Sequence, residues 1–350
     1  MNQRERVHTA ISHKQPDRTP VDIQAVPEIW EALFRHFTTD SMKTVMETLQ
    51  IDCAWADPEV LRMPDKKDTD GLIIGWGGSK GKMVKNDFGE YLEIVHYATD
   101  ACNTPGEMDA ALDLPDLKTA DFSSAADACK MYGDYFLIGG FASSFYYPTL
   151  VRRMEDILID MIDRPELIHH LIKRCFDWHM EYHERLLKAC GGRLDAMQIA
   201  DDFATQIGPL MSLDMFREFF KNPIAEYIAL AKSYGAIPYM HCCGSAYHFI
   251  GEFIEMGIRI LDPVQTAAAN MAPEKLKREF GEKITFHGGG ETQHILPHGT
   301  AEDARKNAQL LSKTMGENGG YILEPSHQIQ ADVPIENVLA FYEIENRLTK

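Results

Sequence analysis

The run His241-Cys242-Cys243-Gly244 is where residue type and spacing in this sequence point most directly to chemistry. In extended backbone, residues i and i+2 share a side, so His241 and Cys243 could face one space while Cys242 faces away. An imidazole and a thiolate together suit zinc, whereas calcium or magnesium would want oxygen donors. The same residues also fit a strand-end histidine beside ordinary buried cysteines, and the local spacing leaves both readings open. Asp201-Asp202 follows the apolar run AMQIA. A carboxylate there could protonate or orient a leaving group, because burial and a neighbouring like charge raise a carboxyl pKa. An N-cap or ion-pair role serves Asp202 equally well, and Asp201 is the weaker candidate.

Further groups of this kind come after other apolar runs. His287-Gly288-Gly289-Gly290-Glu291 follows KITF but lacks the Gly-Lys-Ser/Thr ending of a P-loop, so triphosphate binding is not expected. Gly288 and Gly289 are read as letting the backbone pass close to a substrate or cofactor, and His287 as a structural histidine. Glu324 and His327 follow GYIL. Phe141, Phe145, Tyr146 and Tyr147 follow YFLIGG and could wall a flat substrate or simply fill the core.

The elements that must carry these residues alternate. Strands are predicted at 20–24, 135–140, 196–200, 236–241, 258–262, 283–287 and 320–323, with amphipathic stretches between them. Residues 152–192 read as two consecutive helices broken at Asp163-Arg164-Pro165. The stretches 224–235 and 301–320 read as helices ending at glycine. The first βα turn has no glycine cluster, which argues against a Rossmann sheet and for a (β/α)8 TIM-type barrel of about 250 residues, with an N-terminal extension. Residues 71–99 form an antiparallel excursion, in which KGKMVKNDFGE is read as a polar turn between two strands. No linker or composition shift divides the chain, so 1–350 is expected to be one domain. In a barrel the strand ends converge on one face, where loops build the active site.

Composition narrows the partners. The 350 residues carry 35 Lys+Arg against 53 Asp+Glu, a net charge of −18, which opposes nucleic-acid binding. Seven cysteines without a repeating framework, and a charged first stretch, point to the cytoplasm. No apolar run approaches the roughly 20 residues of a spanning helix, so no membrane role is expected.

Several ordered segments carry a family resemblance. MNQRERVHTAISHKQPDRTPVDI, IADDFATQIGPLMSLDMFREFF, HCCGS, DPVQTAAANMAPEKLKREFGEKITFHGGGETQHILPHGT and GGYILEPSHQIQADVPIENVLAFYE resemble the uroporphyrinogen decarboxylase superfamily. They look most like its corrinoid-dependent methyltransferases, which include methylcobamide:coenzyme M methyltransferases and methyl-ether demethylating enzymes. The resemblance implies a barrel with zinc at its mouth, held by His241 and Cys243. Thiol-methylating members add a cysteine in the C-terminal segment, and the matching position here is His327. Glu324 or Glu291 stays open as the third donor. An imidazole in place of a thiolate makes the site less electron-rich and a stronger Lewis acid, better suited to an ether oxygen than to thiol alkylation.

The expected activity is therefore transfer of a methyl group from a small methylated donor, a methoxylated aromatic, to the Co(I) corrinoid of a partner protein. Gly288 and Gly289 would then lie against the corrinoid, and Asp202 would be the catalytic acid. The chain has no Asp-x-His-x-x-Gly cobalamin motif, so the corrinoid must arrive on its partner. Transfer from methylcorrinoid to a thiol or folate is the first alternative. A decarboxylase is the second, although its N-terminal arginines are represented here only by Arg18. A tetrapyrrole-binding module without catalysis is the third.

Overall fold

The computed structural model describes residues 1–56, 66–86 and 89–343. Its strands, in chain order, are β1 (Cys53–Trp55), β2 (Ile73–Ile74), β3 (Lys80–Asn86), β4 (Gly89–His96), β5 (Phe136–Ala142), β6 (Ala196–Ala200), β7 (Ile237–His241), β8 (Ile260–Val264), β9 (Thr285–Gly290) and β10 (Tyr321–Pro325). Seven of them form one parallel sheet in the order β1-β5-β6-β7-β8-β9-β10. Strands β6, β8, β9 and β10 are buried along their whole length. Strands covered on both faces lose the in/out alternation of a half-exposed sheet, which is why these segments read as continuous apolar runs.

Helices cover one face of the sheet. The pair Met154–Asp163 and Pro165–Ala189 breaks where Asp163-Arg164-Pro165 predicts, and the longer helix buries Leu167, Leu171, Phe176 and Leu186. On the other face a smaller cluster, including Phe136, Ile138, Tyr239, Ile260 and Ile322, receives Val7 and Ile11 from helix Gln3–Ile11. That helix begins at a capping box between Asn2 and Glu5. It lies against β1, β5 and β10, so it plugs the space the curled sheet encloses.

Residues 20–25 run between the two edges of this sheet. Asp22 N–H donates to Leu323 O (2.9 Å) and Leu323 N–H to Pro20 O (2.8 Å), while Asp52 N–H donates to Val21 O (2.8 Å). Only isolated bridges result, Val21 to Leu323 and Ala25 to Ile329, rather than the strand expected at 20–24. Pro20 has no N–H, and the Asp22 carboxylate takes the N–H of Ile23 (2.7 Å), so local bonds displace a regular ladder. The architecture is thus compatible with the expected barrel, with seven parallel strands and an irregular segment in the eighth position. Asp52 fixes the seam: its buried carboxylate accepts from Arg6 (2.7 Å), Arg18 (2.6 Å) and Val21 N–H (2.9 Å).

The 71–99 excursion is a three-stranded antiparallel sheet, β2-β3-β4. Most of its predicted polar turn is strand β3, and the connection at 87–88 lies outside the described residues. Lys82 pairs across to Glu93 and Lys85 to Glu90, so charge here marks an exposed ladder rather than a turn. Trp76 anchors the excursion against the rings of Tyr147 and Trp178. Among the described residues, no helix is long and apolar enough to cross a membrane.

Candidate metal centre

The C-terminal ends of the parallel strands bring the expected groups together. His241 is the last residue of β7, Cys243 follows two residues later, and His327 follows β10. Each of the three offers a donor atom within 4.8 Å of the others. Cys243 Sγ lies 3.4 Å from His241 Nε2. Donors bound at about 2.0–2.3 Å to one tetrahedral zinc stand roughly 3.5 Å apart, so this separation is an edge of such a polyhedron. His241 Nδ1 is 2.8 Å from Asp262 Oδ2, which leaves Nε2 as the coordinating nitrogen. Asp262 was missed from sequence; its signal was an acid inside the apolar run ILDPV.

The electrostatics suit a cation. Burial pulls the His241 pKa down, but the hydrogen bond to Asp262 and the charges of Asp262, Asp202 and Glu324 outweigh it and leave it raised. Burial lowers His327, reinforced by the nearby His241. Burial and the charges of Asp202 and Asp262 push the Cys243 thiol up. A thiol so placed keeps its proton until a metal displaces it.

A cavity of about 360 Å³ opens beside these residues. Trp55, Phe141 and Tyr146 give it an aromatic side, and Asp202, Asp262 and Glu324 an acidic one. Among the described residues, no lysine or arginine lines it. Of the four aromatics singled out after β5, Phe141 and Tyr146 reach the cavity, while Phe145 and Tyr147 are buried in the core. Trp55, Gln24 and Gln198 also line it and were not anticipated, because neither β1 nor an inward-pointing glutamine leaves a pattern in the sequence.

The remaining candidates separate. Asp202 Oδ1 accepts the N–H of Cys243 (2.8 Å), and its side chain is 53% exposed. Asp201 is fully buried and accepts from Ser143 Oγ, Ser144 and the backbone N–H groups of Phe145 and Tyr146, which makes it the anchor of the loop after β5. Gly288 and Gly289 lie inside the barrel wall rather than at the cavity. A Cβ on Gly288 would meet Val264 N at 3.0 Å, and one on Gly289 would meet Leu311 at 3.1 Å. Both have positive φ, so close packing accounts for the glycines without a bound cofactor. The Glu291 carboxylate caps the N–H groups of Gln293, His294 and Ile295. Arg18 is committed to Asp52 and does not line the cavity.

His287 is fully buried, with Nδ1 2.8 Å from the Tyr239 hydroxyl and Nε2 near Asp22 and Glu324. Burial, with the charge of Glu324 beside it, pushes Asp22 up to about 7, and burial with Asp262 raises Glu324.

The family described as uroporphyrinogen decarboxylase (URO-D) matches this chain over residues 98–348. The chain belongs to that family. Two uroporphyrinogen decarboxylases are similar to it, from Aliarcobacter butzleri (28% identical over 196 residues) and Sulfurimonas denitrificans (26% over 194). Each match covers 54% of this chain and 51% of the relative, so the chain spans about half the length of the curated relatives it matches. A methyltransferase from Methanosarcina mazei shares the fold, with a TM-score of 0.66 at 17% identity over 97% of both chains. His241, Cys243 and His327 thus sit at the C-terminal ends of the parallel strands, the end where βα loops build active sites in barrels.

Proposed function

We propose that this chain is a zinc-dependent methyltransferase that moves a methyl group from a small methylated donor, foremost a methoxylated aromatic, to the Co(I) corrinoid of a partner protein. The convergence of His241, Cys243 and His327 beside an aromatic-lined cavity carries this reading. Zinc held by those three residues would supply Lewis acidity toward an ether oxygen as its methyl group leaves. That help matters because a phenoxide has a parent pKa near 10 and is a poor leaving group.

The protein's own groups divide the remaining work. Trp55, Phe141 and Tyr146 hold the ring of the donor, and the methyl carbon faces the open mouth from which the partner approaches. Asp262 fixes the His241 tautomer. Asp202, tethered through Oδ1 to Cys243 N–H, is the proton donor to the departing oxygen in this reading.

The decarboxylase names of the curated relatives favour a second reading, removal of carboxylates from a porphyrinogen. Among the described residues the cavity gives this reading no support, because carboxylate-bearing substrates need cationic partners and the described lining is acidic and aromatic. Transfer from methylcorrinoid to a thiol or folate is distinguished by assay. The test combines elemental analysis with turnover. Purified protein should hold zinc, Cys243→Ala and His327→Ala should each lose it, and methoxylated aromatics should methylate Co(I) corrinoid. Full activity in metal-free protein overturns the zinc role. Methyl transfer to a thiol, with no methoxylated aromatic accepted, overturns the ether reading.

A further inference from the structure

Behind the cavity, three buried side chains from three different segments meet: Asp22 of the seam segment, His287 of β9 and Glu324 of β10. Their side chains are 1%, 0% and 2% exposed. His287 Nε2 lies 3.0 Å from Glu324 Oε2 and 3.5 Å from Asp22 Oδ2, and all three donors fall within 4.8 Å of one another. Among the described residues, neither acid has a lysine or arginine partner.

Two buried carboxyl groups are kept neutral by protons or balanced by a cation between them. A shared proton needs a near-linear bond along one donor–acceptor line, whereas a metal ion needs three donors aimed at one centre. Three donors within 4.8 Å of one another, with no hydrogen bond from the imidazole to either acid, fit the second kind. His287 Nε2 makes no hydrogen bond to either acid despite its proximity, and Glu324 Oε1 is buried without a hydrogen-bond partner. The separations of 3.0 and 3.5 Å fall in the range of donor–donor edges around one ion about 2.1 Å from each donor, roughly 3.0 to 3.4 Å depending on coordination number. Tyr239, at His287 Nδ1, supplies the outer hydrogen bond that orients a coordinating imidazole, as Asp262 does for His241. Asp22 is itself steadied by Trp55 Nε1 at 3.2 Å.

We infer that Asp22, His287 and Glu324 form a second, structural metal site, for a divalent first-row ion such as Mn²⁺, Fe²⁺ or Zn²⁺, that clasps the seam segment to β9 and β10. Two carboxylates and one imidazole, with no thiolate, make this donor set harder than that of His241, Cys243 and His327. Entry is through the cavity, which Glu324 lines. The site is independent of the methyl-transfer reading, because it shares no donor with the first centre.

The test uses the full chain, stripped with chelator and given one equivalent of Zn²⁺ to fill the thiolate site. Mn²⁺ is then titrated while free aqueous Mn²⁺ is read by electron paramagnetic resonance. One Mn²⁺ should bind per chain and raise Tm by several degrees, since an ion that binds only the folded state stabilises it by mass action. Asp22→Asn and Glu324→Gln should each weaken Mn²⁺ binding at least tenfold, and Cys243→Ala should leave it unchanged. On the unaltered protein, pulsed measurement of bound Mn²⁺ should show one directly coordinated imidazole nitrogen, which keeps the test decisive should a variant fail to fold. Mn²⁺ that stays free over folded wild-type protein overturns the inference. So does bound Mn²⁺ that is lost in Cys243→Ala, or that lacks nitrogen coupling.

Discussion

In the proposed centre Asp262 would act on the metal through His241, and its removal isolates that indirect role. Asp262→Ala should weaken zinc binding about 10- to 100-fold, as loss of an orienting partner does, with less effect from Asp262→Asn. Competition with a chromophoric chelator measures this, and unchanged affinity in the alanine variant refutes the orienting role. Asp202→Asn should leave zinc in place and lower turnover about 100-fold, with the larger loss on donors whose phenols are least acidic. An equal loss across a substituted series would reassign Asp202 to positioning. At this scale the sequence was informative where spacing implies direction: the H-x-C pair sits two residues apart at a strand end. Asp262 and Trp55 stayed hidden because their roles arise from neighbours that only the folded sheet supplies.

Helix Pro165–Ala189 carries two buried histidines, one of which, His183, accepts the N–H of the cavity-lining Phe141. His179 and His183 are fully buried on it, and neither ring nitrogen of His179 has a hydrogen-bond partner. Burial lowers both, with His183 lowered to about 3. In the folded chain they stay neutral, whereas unfolded histidine takes up a proton near 6.5. Their contribution to stability is therefore full above about pH 6.5 and is lost as the pH falls toward 3. His179→Phe keeps an aromatic ring against Trp76 and removes one such site. It should gain about 2 kcal/mol relative to wild type at pH 5 and change little at pH 8, as denaturant midpoints will show. A gain equal at both pH values would point to packing instead.

Gly288 is the strand counterpart. Gly288→Ala should cost about 1–3 kcal/mol through its positive φ and leave zinc content unaltered, and a variant of normal stability would contradict the packing role. The long apolar runs and helix breaks were legible as elements because buried parallel strands and proline stops leave strong local marks. The short β1, the seam segment and the charged strand β3 did not, since tertiary hydrogen bonds and cross-strand charge pairs outweigh local pattern there.

For the whole molecule, the buried carboxylate of Asp52 is the joint at the seam, holding Arg6, Arg18 and the backbone of Val21 together. Asp52→Ala leaves Arg18 without its acid and Arg6 with Asp17 alone, and should cost about 3 kcal/mol, read by chemical denaturation; a loss under 1 kcal/mol would show that the seam holds without it. Charge and composition argued against nucleic-acid partners, but they carried no information on how the sheet's edges meet.

That seam also sets an order of events during synthesis. Val21 is made about 300 residues before its partner Leu323, roughly 15 to 60 s at common elongation rates. Through that interval the segment at 20–25 can dock only on its Asp52 side, and His327 does not yet exist to join His241 and Cys243. Until β10 is made the nascent sheet is an open trough, and the proposed metal centre can fill only after His327 has been added.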